Sequence, residues 1–134
     1  MYFITPEPGS LESFLEKYPQ DAPVDMLNLL RFRDQSAYPA DFAAEPCSGA
    51  EAYGRYGKGV APLLEARGAQ AIWHGQQAAM LIGPQDKDWH LAVVMRYPTA
   101  SAFHDMVTSA EYNAVVAHRS AALEDSRLIA FRPL

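Results

Sequence analysis

Val24-Asp25-Met26-Leu27-Asn28-Leu29-Leu30-Arg31-Phe32-Arg33 is the stretch on which the fold turns. Its even positions, Val24, Met26, Asn28, Leu30 and Phe32, are apolar with one exception, while its odd positions, Asp25, Leu27, Leu29, Arg31 and Arg33, are apolar only at the centre. Side chains alternating with a period of two mark a strand. Apolar residues on both sides mean that both faces are partly covered. The rest of the chain must supply the covering layers.

Upstream, Ser10, or Thr5 ahead of Pro6, is placed to cap a short helix with Leu11, Phe14 and Leu15 on one face, closed by Pro19. Downstream, residues 34–47 hold Pro39 and Pro46 and read as a long loop. Ser48-Gly49-Ala50-Glu51 then fits a capping box, in which the serine oxygen takes an orphan amide and the glutamate reaches back. The helix it opens carries Tyr53, Tyr56, Val60, Leu63, Leu64 and Arg67 and ends at Gly68; Pro62 predicts a kink within it. Residues 69–83 predict a strand bent at Gly75, residues 83–88 a turn, and residues 90–97 a third strand. Pro98 ends that strand, and Thr99 caps a helix with Ala102, Phe103, Met106 and Val107 on its inner side. Ser109 caps a further helical segment bearing Tyr112, Val115, Val116, Arg119 and Leu123, and residues 127–131 supply the last strand.

A preliminary helix followed by β-α-β-β-α-β is an α+β, ferredoxin-like order. Right-handed crossovers place both connecting helices on one face of a four-stranded antiparallel sheet. The expectation is a single domain over residues 1–134, with residues 1–23 a helical extension. Pairing across the 83–88 turn puts Trp73, Ala79, Leu81, Leu91, Val93, Met95 and Tyr97 beneath the helices. The opposite face then carries His74, Gln76, Ala78, Met80, Ile82, His90, Ala92, Val94 and Arg96. Its apolar centre is too large to leave in water, and a second copy of the same sheet would cover it, so a homodimer is expected.

Charge and spacing exclude several classes. The 134 residues carry 11 basic and 16 acidic side chains, a net charge of −5, with the basic ones scattered, which argues against nucleic-acid binding. Leu91-Ala92-Val93-Val94-Met95 also lacks the aromatic run of an RNA-recognition strand. The apolar runs are of strand length, far short of the ~18 residues that span a bilayer. The opening residues have neither the basic nor the apolar region of a secretory signal, so a cytoplasmic location is expected. His74, His90, His104 and His118 show no metal-ligand spacing, and no metal or cofactor is expected. Cys47 has no second cysteine to pair with; its place before the cap Ser48 gives it a weak claim to a nucleophilic role.

The candidate site residues follow from polar or aromatic side chains in apolar settings. Asn28, the lone polar member of its row, either pins a neighbouring loop or holds a ligand oxygen between sheet and helices. Tyr53 and Tyr56 share a helix face, with Trp73 expected below them; the three either pack as ordinary core or line a cavity for a flat apolar molecule. His74 and Arg96 belong with Gln76 and His90 to the other sheet face, where they either rim a dimer interface or form a proton carrier and oxyanion partner. Arg119, on the helix face of Tyr112 and Val116, either forms a structural ion pair with Glu111 or Glu51 or meets an anionic ligand.

Two runs of residues add a family resemblance. Ala52-Tyr53-x-x-Tyr56, Pro62, Arg67-Gly68 and Leu81-Ile82-Gly83 form the first. Val93-Val94-Met95-Arg96-Tyr97-Pro98-Thr99, Ser109-Ala110-Glu111-Tyr112 and Arg119 form the second and more specific one. Over roughly residues 50–131 the chain resembles the uncharacterised family catalogued as domain of unknown function 1330. Gly68-Ala69 stands where that family usually has Gly-Gly, and Ala110 where it usually has proline. The family is similar to the dimeric α/β-barrel group, which includes cofactor-free monooxygenases and small isomerases. The resemblance therefore implies a dimeric barrel that binds a small apolar or aromatic molecule, with or without such an activity; the alternative is a non-catalytic dimeric module binding a ligand or a protein.

Overall fold

The computed structural model describes residues 1–134 and runs α1 (Ser10–Lys17), β1 (Val24–Phe32), α2 (Gly49–Ala66), β2 (Gln70–Gly75), β3 (Leu91–Tyr97), α3 (Ala100–Val107), α4 (Ala110–Ala122) and β4 (Leu123–Phe131). The strands form one antiparallel sheet in the order β2-β3-β1-β4. This is the expected ferredoxin-like arrangement, with β1 hydrogen-bonded along both edges. Val24, Met26, Asn28 and Leu30 face Tyr97, Met95, Val93 and Leu91 respectively across the β1–β3 ladder. These residues line the helix-covered side, where Val24, Met26, Val60, Tyr97, Ala100, Phe103 and Met106 make the larger core cluster.

The local signals for three helices act as read. Ser48 accepts from the Glu51 amide and the Glu51 side chain accepts from the Ser48 amide, completing the capping box. Thr99 and Ser109 cap α3 and α4 through the amides of Ala102 and Tyr112. The residue after that first cap must be glycine: a Cβ on Gly49 would lie 2.2 Å from the Arg33 carbonyl oxygen, to which the Gly49 amide donates at 3.0 Å. Helix α2 runs from Gly49 to Ala66 with Pro62 inside it and does not restart there. Helix α1 is capped not by Ser10 or Thr5 but by Gly9, in the left-handed region at φ 80° with no side-chain cap.

The second strand departs most from the sequence reading. It stops at Gly75, and residues 76–90 form an irregular connection in place of the expected continuation to 83. Met80 and Ile82 therefore leave the sheet face assigned to them, and Leu81 and Ile82 are exposed at 88% and 97%. The β2–β3 register also shifts between Ala71 and Trp73, so Trp73 pairs with Val94 and His74 with Val93. One extra residue in a bulge reverses the faces of all that follow. Trp73 thus lies on the open face of the sheet and His74 on the helix side, the reverse of the expectation. At the other edge β4 starts at Leu123, earlier than residue 127, and carries its own irregularity opposite Arg31 and Phe32.

A buried carboxylate ties the N-terminal segment to β4. Asp125 is fully buried and accepts from the Phe3 amide, Lys87 Nζ, Arg127 and the Ser126 amide, while Ser126 Oγ donates to the Phe3 carbonyl. Burial alone would raise this carboxyl; the donors from Lys87, Phe3, Arg127 and Ser126 outweigh it and hold Asp125 well below the usual carboxylate range.

The 34–47 loop packs on α2 and α4 through aromatics. Tyr38 stacks on Phe42, both meet the edge of His118, and the Tyr38 hydroxyl bonds His118 Nδ1 at 2.6 Å. Arg55 donates to the same hydroxyl and to the Glu45 carbonyl. Partial burial and the charge of Arg55 push His118 below the ordinary histidine range.

Two outcomes are expected. Asp125→Asn should destabilise the chain by about 3 kcal/mol at pH 7 in urea titration, because it leaves two buried-facing cations without their anion. The contribution of Asp125 is complete above the ordinary carboxylate pKa of about 4 and fades as pH falls, so the difference between the two proteins should shrink at pH 3. For His118 the folded state favours the neutral ring, so its contribution is present above pH ~6.5 and lost as pH falls. Limited proteolysis of the 34–47 loop should accelerate between pH 7.5 and 5.5 in the wild type but not in His118→Phe.

Candidate functional site

The helix-covered side of the sheet does not hold one continuous core. Val24 and Met26 belong to the larger cluster, while Leu30 joins Ala52, Ala122 and Leu123 in a second one. Between them stands Asn28, opposite Val93 on one side and Leu128 on the other, with His74 opposite Val93 in turn. None of these four belongs to either cluster. Asn28 and Val93 are only half-buried although they sit in the two central strands, and Leu128 is 46% exposed. The row Leu128–Asn28–Val93–His74 therefore marks the gap between the two clusters on the helix side of the sheet. Asn28 itself makes only a long bond of 3.5 Å, from Nδ2 to the Met26 carbonyl, and keeps most of its hydrogen-bonding capacity.

Aromatic side chains from the helices bridge the gap. Tyr53 packs with the second cluster and Tyr56 with the first, their rings 5.4 Å apart. Phe32 extends this line at 5.3 Å from Tyr53, and Tyr112 from α4 meets Tyr56 edge-on at 6.1 Å. The Tyr56 and Tyr112 hydroxyls share a 3.0 Å hydrogen bond. Burial raises Tyr53 and, with the neighbouring Tyr112, pushes Tyr56 far above the normal phenol range; Tyr97 is raised for the same first reason. These phenols therefore stay protonated and offer O–H donors rather than bases. Arg119 lies close enough to lower Tyr53 in opposition to burial. It forms no ion pair, contrary to one expectation, and instead donates to the Ile4 carbonyl at 2.8 Å.

The expected site residues thus divide. Asn28 and, at its exposed end, His74 share one row on the helix side of the sheet, and Tyr53, Tyr56 and Arg119 stand on α2 and α4. Trp73 stands apart on the open face, beside a 210 Å³ pocket lined with Leu29, Gly75, Gln76, Gln77, Trp89 and Ala92. Arg96 is on that face too, bound through two atoms to Asp25 at 2.7 and 2.8 Å rather than placed beside Gln76. That hydrogen bonding holds Asp25 below the carboxylate range and raises Arg96, so the guanidinium is already neutralised. His90 accepts the Phe32 amide at Nδ1 and extends the β1–β3 ladder. Cys47 contacts Ser36 Oγ at 3.7 Å. Tyr112 was missed as a site residue; its 112–116–119 spacing with Arg119 was the available signal. Trp89, in an irregular connection, offered none. No group of three or more histidine, cysteine or acidic side chains is placed to hold a metal ion, and no helix is long and apolar enough to cross a membrane.

Comparison with solved structures gives a close relative and more distant ones. A protein of unknown function from Rhodopseudomonas palustris, a structural genomics target, is 40% identical, with 100% of this chain covering 98% of that one at a TM-score of 0.92. A dabb family protein with a ferredoxin-like fold from Mesorhizobium loti is 17% identical at a TM-score of 0.53, covering 84% of this chain and 97% of that one. A Bacteroides fragilis protein of unknown function, described as dimeric and ferredoxin-like, is 13% identical at 0.52, covering 83% and 96%. These last two establish likeness of fold alone. No curated protein matches significantly. The family model described as Domain of unknown function (DUF1330) matches residues 46–132, so β1 and α1 lie outside the matched segment, and the chain belongs to that family.

Proposed function

We propose that the protein binds a small, flat, apolar or aromatic molecule in the cleft between sheet and helices. The break in the core at the Asn28 row is the observation that carries this reading. A core asparagine kept only for stability would be enclosed and fully bonded, since an unmet buried carboxamide costs about 1–3 kcal/mol. Here the amide makes only one long internal bond, and Tyr53 and Tyr56 pack on the clusters to either side of it, which supports a small-ligand site of apolar walls and a few convergent polar groups. Asn28 would hold a carbonyl or hydroxyl of the ligand, with Tyr53 and Tyr56 against its flat face and Arg119 and Tyr112 at the helix side. Because the tyrosines remain protonated, they favour binding over proton abstraction, and the monooxygenase-like or isomerase-like activity implied by the resemblance would have to take its base from His74 at the exposed end of the row.

The molecule would work as a homodimer joined through the open face. Leu27, Leu29, Ala92 and Val94 occupy the centre of that face, flanked by Trp73, Ile129 and Phe131 at 56%, 41% and 50% exposure. The chain exposes 8333 Å², against ~7,000 Å² for a compact monomer of 14.8 kDa. A standard interface removes ~800 Å² from each partner, which the excess can supply. The dimeric Bacteroides fragilis relative shares the fold.

Two measurements test these readings. Saturating 2-naphthol or indole, at about 100 times its Kd, should raise the wild-type Tm by roughly 5–10 °C. Asn28→Leu should abolish that rise while unfolding cooperatively at the wild-type temperature or above. A panel of neutral aromatics with no effect on the wild type, or an undiminished rise in the variant, would refute the cleft. In sedimentation equilibrium at micromolar concentration the wild type should run as a dimer and Val94→Asp as a folded monomer; a monomeric wild type would refute the interface.

A further inference from the structure

Helix α1 and the end of β4 flank an open surface groove of about 570 Å³, separate from the Asn28 row and built by a helix that lies outside the matched family segment. One wall is aromatic and already set: Phe14 and Tyr18 stack at 5.2 Å and 25°, and the Tyr18 hydroxyl donates to the Pro23 carbonyl, which fixes the ring. Ala130 contributes the floor. The remaining lining is polar and cationic. Lys17 and Arg132 face the groove, and neither enters any ion pair of the fold. Arg132 rests against the Tyr18 ring at 5.2 Å, so its guanidinium is oriented although its charge is unmatched. The hydroxyls of Ser10 and Ser13 open into the same space, and neither is engaged in a hydrogen bond within the chain. In a chain with 16 acidic and 11 basic side chains, two unneutralised cations beside a preorganised aromatic wall are an anion-accepting arrangement.

We propose that this groove is a second binding site, for a small aromatic carboxylate. The apolar body lies along Phe14 and Tyr18 above Ala130. The carboxylate sits between Arg132, whose planar fork matches its two oxygens, and Lys17, with Ser10 and Ser13 as additional donors. The site needs neither the Asn28 cleft nor the dimer. It separates the two ligand chemistries of the molecule: a neutral flat compound inside, and an anionic one at the α1–β4 groove.

Isothermal titration with 1-naphthoate tests it. The wild type should bind saturably, with an affinity that falls as salt is raised. Arg132→Gln and Lys17→Gln, both surface substitutions, should each weaken binding by roughly tenfold, the loss expected for one charge-assisted hydrogen bond. Asn28→Leu should bind naphthoate as the wild type does. The proposal fails if naphthoate shows no saturable binding, if neither cation substitution weakens it, or if Asn28→Leu removes it, since the last result would place the ligand in the inner cleft. Failure of 2-naphthol to bind the cleft would leave the naphthoate result intact, so the two sites are judged separately.

Discussion

Strand β1 is hydrogen-bonded on both edges, to β3 through seven residue pairs and to β4 from Asp25 to Phe32. A strand in that position must present one face to each layer, and its alternation determines what each layer receives. On one side Val24, Met26 and Leu30 draw the helices down; on the other Leu27 and Leu29 create an apolar face with no helix over it. Because side chains alternate strictly, a polar residue at an even position cannot turn away from the helices. Asn28 therefore stands on the helix-facing side between Met26 of one cluster and Leu30 of the other.

The bulge between Ala71 and Trp73 sets the chemistry of both faces at the β2 edge. Without it Trp73 would fill the end of the cleft and His74 would meet the open face. With it the indole joins Leu29 and Ala92 outside, and the imidazole ends the Asn28 row inside. One inserted residue thus moves the largest side chain of β2 from the helix side to the open face.

Charged groups on the open face are arranged to leave its centre apolar. Asp25 and Arg96 neutralise each other at one end of the ladder. At the other end Asp125 gathers Lys87, Arg127 and the Phe3 amide, and Arg31 pairs with Asp88 and Glu124. The second cluster also ties the N-terminal segment against β4, which blunts an edge strand otherwise free to pair.

Local sequence determined the elements of this protein. Ser48 with Glu51, Thr99 and Ser109 mark their helices because a cap depends on side chains two or three residues from the amides they satisfy. The alternation in residues 24–33 marks the central strand for the same reason, and with it Asn28 as the polar interruption. The fold class and the family motifs were readable to that extent, as was the shared helix face of Tyr53 and Tyr56. Tertiary structure alone decided what stands opposite what. The β2 bulge, the end of that strand at Gly75, the capture of Arg96 by Asp25 and the meeting of Tyr38 with His118 each join residues or registers that no short spacing encodes. Such choices rest on the fit between surfaces distant in the chain, where a shift of one residue exchanges the two faces of a strand while leaving its local pattern unchanged.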